Sequence, residues 1–150
     1  MNVALAKKVV VGIQYSNSCH GNGRYDFFVK SAKTVIESLE YINIIDVVWF
    51  SHKKIGSVMH MTRKEFLDHA FMEPLTGGGT NFHCVSDFII DCGLNPDLVL
   101  VMTDKPISII DYPKIPEFDK AKLLFVYHDY NDDHPDSCGN IPEISIVEGN

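Results

Sequence analysis

What this chain lacks narrows its function before any motif is read. No apolar run reaches the length of a membrane span, and the first residues hold no long apolar segment of the secretion-signal type. The expectation is a chain with neither a helical membrane anchor nor a leader. Basic residues are scarce: 13 Lys and Arg stand against 20 Asp and Glu, for a formal charge of −7. Non-specific nucleic-acid binding needs a basic face and is disfavoured, although Lys53-Lys54 form a short local cluster. Cysteine is sparse as well. Cys19, Cys84, Cys92 and Cys138 are scattered and form no C-x-x-C pair. Small secreted disulfide scaffolds look different, so the expected setting is reducing and cytoplasmic. No internal repeat, low-complexity tract or linker divides the sequence.

What is present suffices for one globular domain over residues 1–150, with 45% hydrophobic residues to fill a core. The chain is organised around Leu75-Thr76-Gly77-Gly78-Gly79-Thr80-Asn81-Phe82. Three consecutive glycines weaken a helix or strand interior and suit a loop whose backbone approaches something closely. After them, Phe82, Val85, Phe88, Ile89 and Cys92 recur at helical spacing, so a helix is predicted over 82–92 with Thr80 or Asn81 as its N-cap. Such a loop is either an ordinary flexible connection or a site for an anion or a metal ligand.

Taken in order, Val9-Val10-Val11-Gly12-Ile13 predicts a central strand buried on both faces. It ends in the polar loop from Gln14 to Gly23. Phe28, Ala32, Val35, Ile36 and Leu39 mark an amphipathic helix over 24–41. Ile44 to Phe50 is a second strand, and Ile55 to Met61 returns as an antiparallel edge strand. Thr62-Arg63-Lys64-Glu65 has the form of a capping box, which predicts a short helix over 63–70. Leu98 to Met102 and Leu123 to Tyr127 are further strands, the stretch 105–121 is an irregular crossover, and Ile144 to Val147 is a candidate last edge strand. Alternating strands and helices imply an α/β fold: a Rossmann-like open, mostly parallel sheet with helices on both faces and an antiparallel edge strand. Ligands of such sheets sit outside the carboxyl ends of the strands.

That rule gathers Ser16 and Ser18 after the first strand, Thr80 in the glycine loop, and Thr103-Asp104 after the fourth long strand. Alternate serines on an extended loop turn their hydroxyls the same way. Hydroxyls with a carboxylate are hard oxygen ligands, suited to Mg²⁺ or Mn²⁺.

The pattern resembles a von Willebrand factor A-like (VWA-like) domain with its metal-ion-dependent adhesion site, built from Asp-x-Ser-x-Ser, a distant Thr and a distant Asp. It is most similar to bacterial and viral VWA-like domains that carry Gly-Gly-Thr-Asp-Phe and then a strand ending in Thr-Asp. Here these read Gly78-Gly79-Thr80-Asn81-Phe82 and Val101-Met102-Thr103-Asp104. The resemblance runs from Val9 to about Val147. It implies a metal held by Ser16, Ser18, Thr80 and Asp104, with Gln14, Gly78, Gly79 and Asn81 meeting a partner. It also implies a protein-binding module rather than an enzyme, working beside a protein such as an AAA+ ATPase or its complex. Three acidic positions of the family are neutral here: Gln14 for the first Asp, Ser51 after the second strand, and Asn81 in the glycine motif. Hard dications prefer anionic oxygens, so the resemblance implies a weakened or lost metal site.

Other readings stand beside this one. Cys19, His20, His83 and Cys84 offer a Cys/His set for Zn²⁺ and thus a metal-dependent hydrolase, though their spacing is not that of structural zinc sites; buried thiols and surface histidines are the plainer account. His128-Asp129, with His134 nearby, could orient a base for Ser16 or Ser18, but no G-x-S-x-G elbow is present. Asp129, Asp132, Asp133 and Asp136 lack the ordered spacing of a calcium loop. The glycine loop lacks the Lys of a P-loop. Trp49 is expected in the core. A decoy that mimics a host VWA domain is a further reading.

Overall fold

The apolar run after Lys7-Lys8 forms β1 (Lys8–Gln14), a central strand whose residues from Val9 onward are all buried. The computed structural model describes residues 5–15, 24–72, 74, 81, 83–103, 122–127 and 143–148. β1 is followed by α1 (Arg24–Ser38), β2 (Ile44–Phe50), β3 (Lys54–Met61), α2 (Arg63–Asp68), α3 (His83–Asp91), β4 (Leu98–Thr103), β5 (Lys122–Tyr127) and β6 (Glu143–Glu148). The strands form a six-stranded sheet in the order β3-β2-β1-β4-β5-β6. β1 runs parallel to both β2 and β4, and β4 runs parallel to β5. β3 and β6 close the two edges in antiparallel sense, and β6 contains the candidate last edge strand Ile144 to Val147.

Strand residues alternate between two cores because side chains alternate across a pleated sheet. Val9, Val11 and Ile13 join Phe28, Ala32 and Ile36 of α1 and Phe66 of α2 on one face. Val10, Val48, Phe50, Val99 and Val101 meet Cys84, Val85, Phe88 and Ile89 of α3 on the other. The helical periodicities of α1 and α3 are therefore the imprint of these two faces. Gly12 fixes how closely α3 approaches: a Cβ there would lie 2.8 Å from Val85 Cγ2 and 3.5 Å from Phe50 Cε1.

Two helices stop earlier than their periodicity predicts. α1 ends at Ser38 rather than Tyr41, because the chain turns so that the N–H groups of Asn43 and Ile44 can donate to Lys7 O (2.8 and 3.2 Å) and set β2 beside β1. α2 has its capping box, with the Thr62 side chain accepting from Glu65 N–H and Glu65 accepting from Thr62 N–H. It stops at Asp68, and Phe71 beyond it packs on Phe66 and Trp49 at ring separations of 5.2 and 5.8 Å. At the other end of β1, Asp97 Oδ2 accepts from Lys7 and Lys8 N–H at 3.0 and 3.2 Å, tying the start of β4 to the start of β1.

β3 is irregular where it meets β2. The register shifts between Ile45 and Val47. His60 there adopts a left-handed φ of 59°. The buried Asp46 carboxylate accepts the His60 backbone N–H at 2.8 Å, which holds the bulge in that uncommon conformation. Among the described residues, no helix is long and apolar enough to cross a membrane. The crossover expected over 105–121 lies outside the described residues.

Candidate functional site

Since β1, β2, β4 and β5 are parallel, their carboxyl ends lie on one side of the sheet, at Gln14, Phe50, Thr103 and Tyr127. Gln14 and Thr103 end neighbouring strands, and both are fully buried. The Thr103 hydroxyl donates to Gln14 Oε1 at 2.5 Å. The Gln14 amide oxygen thus accepts a bond from within the protein and links the ends of β1 and β4.

The end of β2 is joined to the start of α3. Ser51 is buried, its N–H donates to Lys53 O at 2.9 Å, and its hydroxyl lies within 3.4 Å of the same carbonyl. Ser51 O accepts the Asn81 N–H at 2.8 Å. Asn81, exposed, turns its side-chain oxygen onto His83 N–H at 3.1 Å, while its backbone carbonyl accepts from Cys84 N–H at 3.1 Å. Of the two N-cap candidates, Asn81 makes the capping bond. A carboxylate here would serve the helix N-terminus equally well, but Asn provides the cap without adding negative charge.

Of the eight residues expected at the site, Gln14 and Asn81 are therefore placed. Ser16, Ser18, Gly78, Gly79, Thr80 and Asp104 lie outside the described residues. The placed oxygens come from Gln14, Ser51, Asn81 and Thr103; they are neutral and take part in internal hydrogen bonds. Such a set fits a hard dication poorly, because Mg²⁺ gives up its water shell reluctantly without anionic ligands. Among the described residues, no group of three or more His, Cys, Asp or Glu could hold a metal ion.

The neighbours His83 and Cys84 separate on α3: His83 is exposed and Cys84 is buried. Burial, and then the charge of Asp87, push the Cys84 thiol above its ordinary value. A thiol so placed is a poor nucleophile and a poor metal ligand near neutrality. Alkylation by iodoacetamide at pH 7.5 should be at least about tenfold slower at Cys84 in the folded chain than in urea, as read by peptide mass mapping. The same shift carries a sign for stability. The unfolded chain loses this proton first as pH rises, so the thiol's contribution to stability is present below its ordinary range and lost above it. Cys19, His20, His128, Asp129 and His134 lie outside the described residues, as does the rest of the acidic loop. Trp49, partly buried against the α1-side core, donates from Nε1 to Tyr25 Oη at 2.9 Å. The Gln14–Thr103 pairing is the element of the face that sequence reasoning missed, because it depends on the register of two strands far apart in the chain.

No family model matches the sequence, and no curated protein does. Among solved structures, the chain is similar to the ArnB paralog VWA2 from Sulfolobus acidocaldarius, with a TM-score of 0.56 and 16% identity over 82% of this chain. The fold is VWA-like. The match spans 35% of that archaeal chain, so the two proteins share one architectural unit. Gln14, Ser51 and Thr103 lie at the carboxyl ends of the parallel strands, and Asn81 is tied to that side through Ser51.

Proposed function

We propose that this chain is a non-enzymatic protein-binding module of VWA-like type, which engages a partner at the carboxyl-end face of its sheet. The observation that carries the reading is the Thr103–Gln14 hydrogen bond. It holds together, through two neutral side chains, the two strand ends from which the proposed adhesion-type loops leave. Ser16, Ser18, Thr80 and Asp104 are the proposed ligands of a weak Mg²⁺ or Mn²⁺ ion. Where the ion is absent, the same hydroxyls and the N-terminus of α3 meet the partner directly. Gly78, Gly79 and Asn81 form the contact surface on the glycine-loop side, and Gln14 acts through the strand ends it holds. An AAA+ ATPase or its associated complex is the proposed class of partner, and a reducing cytoplasmic compartment the proposed setting. The hydrolase reading has less support, because Cys84 is buried and its thiol is held protonated. A decoy of another VWA domain would use the same face.

Ligand that binds only the folded state raises the melting temperature. Melts in EDTA, Mg²⁺, Mn²⁺ and Zn²⁺ should show at most a small rise with Mg²⁺ or Mn²⁺, and that rise should vanish in Asp104→Ala. Cross-linking capture with the intact chain should recover a partner that both Asp104→Ala and Thr80→Ala lose. Capture unaffected by either substitution would remove this face as the docking surface.

A further inference from the structure

The short helix α2 is fastened to the rest of the chain more by hydrogen bonds at its ends than by apolar burial. Of its six residues only Phe66 is buried. Neither α1 nor α2 has a basic residue in its last turn, where the helix dipole favours a cation. Each helix supplies the cation that the other lacks. Arg63, the first residue of α2, donates from Nη2 to Glu37 O in the last turn of α1 at 2.6 Å. Lys33 of α1 donates from Nζ to His69 O, just past the end of α2, also at 2.6 Å. The Lys33 ammonium stands 5.4 Å from the Phe71 ring centre as well. The two helices are thus latched at both ends, through the carbonyls that a helix end leaves without an internal partner.

The same segment carries two unfavourable features. Among the described residues His60 is the one non-glycine residue with a left-handed φ, a conformation that costs any side chain with a Cβ. Beyond the bulge at His60, β3 keeps a single pairing with β2, Met61 with Ile45. Arg63 Nε is buried and has no hydrogen-bond partner among the described residues. A buried donor left unpaired costs more than an ordinary hydrogen bond gains. Both costs fall between His60 and Arg63, and both disappear if this stretch lifts into water. Against them stand the buried side chains of Met61, Phe66 and Phe71, the last packed on Phe66 and Trp49.

We infer that residues 61–71 form a strap that opens from the α1 side of the sheet as one unit, hinged at His60 and latched by Lys33 and Arg63. Opening relaxes the backbone at His60, lets water reach Arg63 Nε and uncovers Trp49. Closing restores the two charged hydrogen bonds and buries the three apolar side chains. A segment with few buried contacts and a strained residue at one end is the kind that opens apart from its sheet. The strap leads in sequence to the glycine loop, so its opening is a point of control for the proposed binding face. That consequence rests on the protein-binding reading, whereas the strap itself does not.

Native-state hydrogen exchange of the intact chain, read by mass spectrometry, tests the strap without reference to any partner. The amides of α2 should exchange together, at least about a hundredfold faster than those of β1 and β4, and with a weaker dependence on urea. Lys33→Met keeps the aliphatic stem and removes one latch. It should speed exchange in α2 at least about tenfold and leave β1 and β4 unchanged, which also shows that the variant is folded. His60→Gly should act in the opposite sense. Glycine keeps the backbone N–H that Asp46 accepts and meets no penalty at positive φ, so the closed strap gains and exchange in α2 should slow by about threefold or more. A merely destabilising change at His60 would speed it. If the α2 amides exchange at the rate of β4, with the same urea dependence, the segment opens only with the whole chain and the strap is overturned. Lys33→Met acting equally on β1 and β4 overturns it too, since Lys33 then serves the fold at large. Faster exchange of α2 in His60→Gly removes the hinge.

Discussion

Gly12→Ala is expected to cost about 1–3 kcal/mol, although it adds a single methyl group to the middle of a strand. The added carbon would lie 2.8 Å from Val85 Cγ2, inside any real contact distance, and Val85 is stiff because it is branched at Cβ. Either α3 must lift from the sheet or Val85 must leave its rotamer. A chemical melt should show the midpoint fall, with a drop in melting temperature of roughly 2–4 °C per kcal/mol for a chain of this size. Val85→Ala alone leaves a cavity and also destabilises. The double substitution should cost less than the sum of the two, since each relieves the strain or fills the space the other creates. Strict additivity would mean that α3 is not seated by this contact. Because Asn81 caps α3 and is tied to Ser51, a lifted helix would also strain the link between α3 and the end of β2.

The second large effect is expected at Gln14→Asp. The substitution places a carboxylate at a position with no exposed surface, next to the Thr103 hydroxyl. Without metal, an uncompensated buried charge costs roughly 3–5 kcal/mol, so the variant should melt well below the wild type at pH 7. Protonation removes that charge, and the deficit should narrow at pH 5. Mg²⁺ should then restore stability, by about 2.7 kcal/mol at a concentration one hundred times the dissociation constant. Gln14→Leu serves as the control. It removes the hydrogen bond from Thr103 at a cost of about 0.5–1.5 kcal/mol and should show no response to Mg²⁺. If Mg²⁺ fails to raise the melt of Gln14→Asp, Ser16, Ser18, Thr80 and Asp104 do not converge on one point, and metal-free docking alone remains.

The order of elements was legible because each strand and helix buries a face with its own period. Val9, Val11 and Ile13 serve one core and Val10 the other, so a continuous apolar run read correctly as a strand covered on both sides. The capping box at Thr62 was legible because its bonds are local. The early ends of α1 and α2 were not. They are set by Lys7, which takes two N–H groups from the start of β2, and by the aromatic packing of Phe71. The close contact of Gly12 with Val85 and the bond between Gln14 and Thr103 were likewise invisible, since both join residues distant in sequence. Gln14 stood out as a departure from a pattern. Its partner could be named only once β1 and β4 were in register.

The position of β1 has a consequence for how the chain comes to be folded. It is made first, yet it is central, and its partners arrive at very different times. β2 follows after one helix, while Thr103 stands 89 residues after Gln14. β1, α1, β2 and β3 are contiguous and can associate as they leave the ribosome, but the flank of β1 destined for β4 stays unpaired while everything up to Leu98 is synthesised. That flank belongs to an apolar strand, and an open edge of this kind recruits other chains. The carboxylate of Asp97, which binds the backbone of Lys7 and Lys8 just before β4 begins, acts as the latch that brings the late strand into register and ends the exposure.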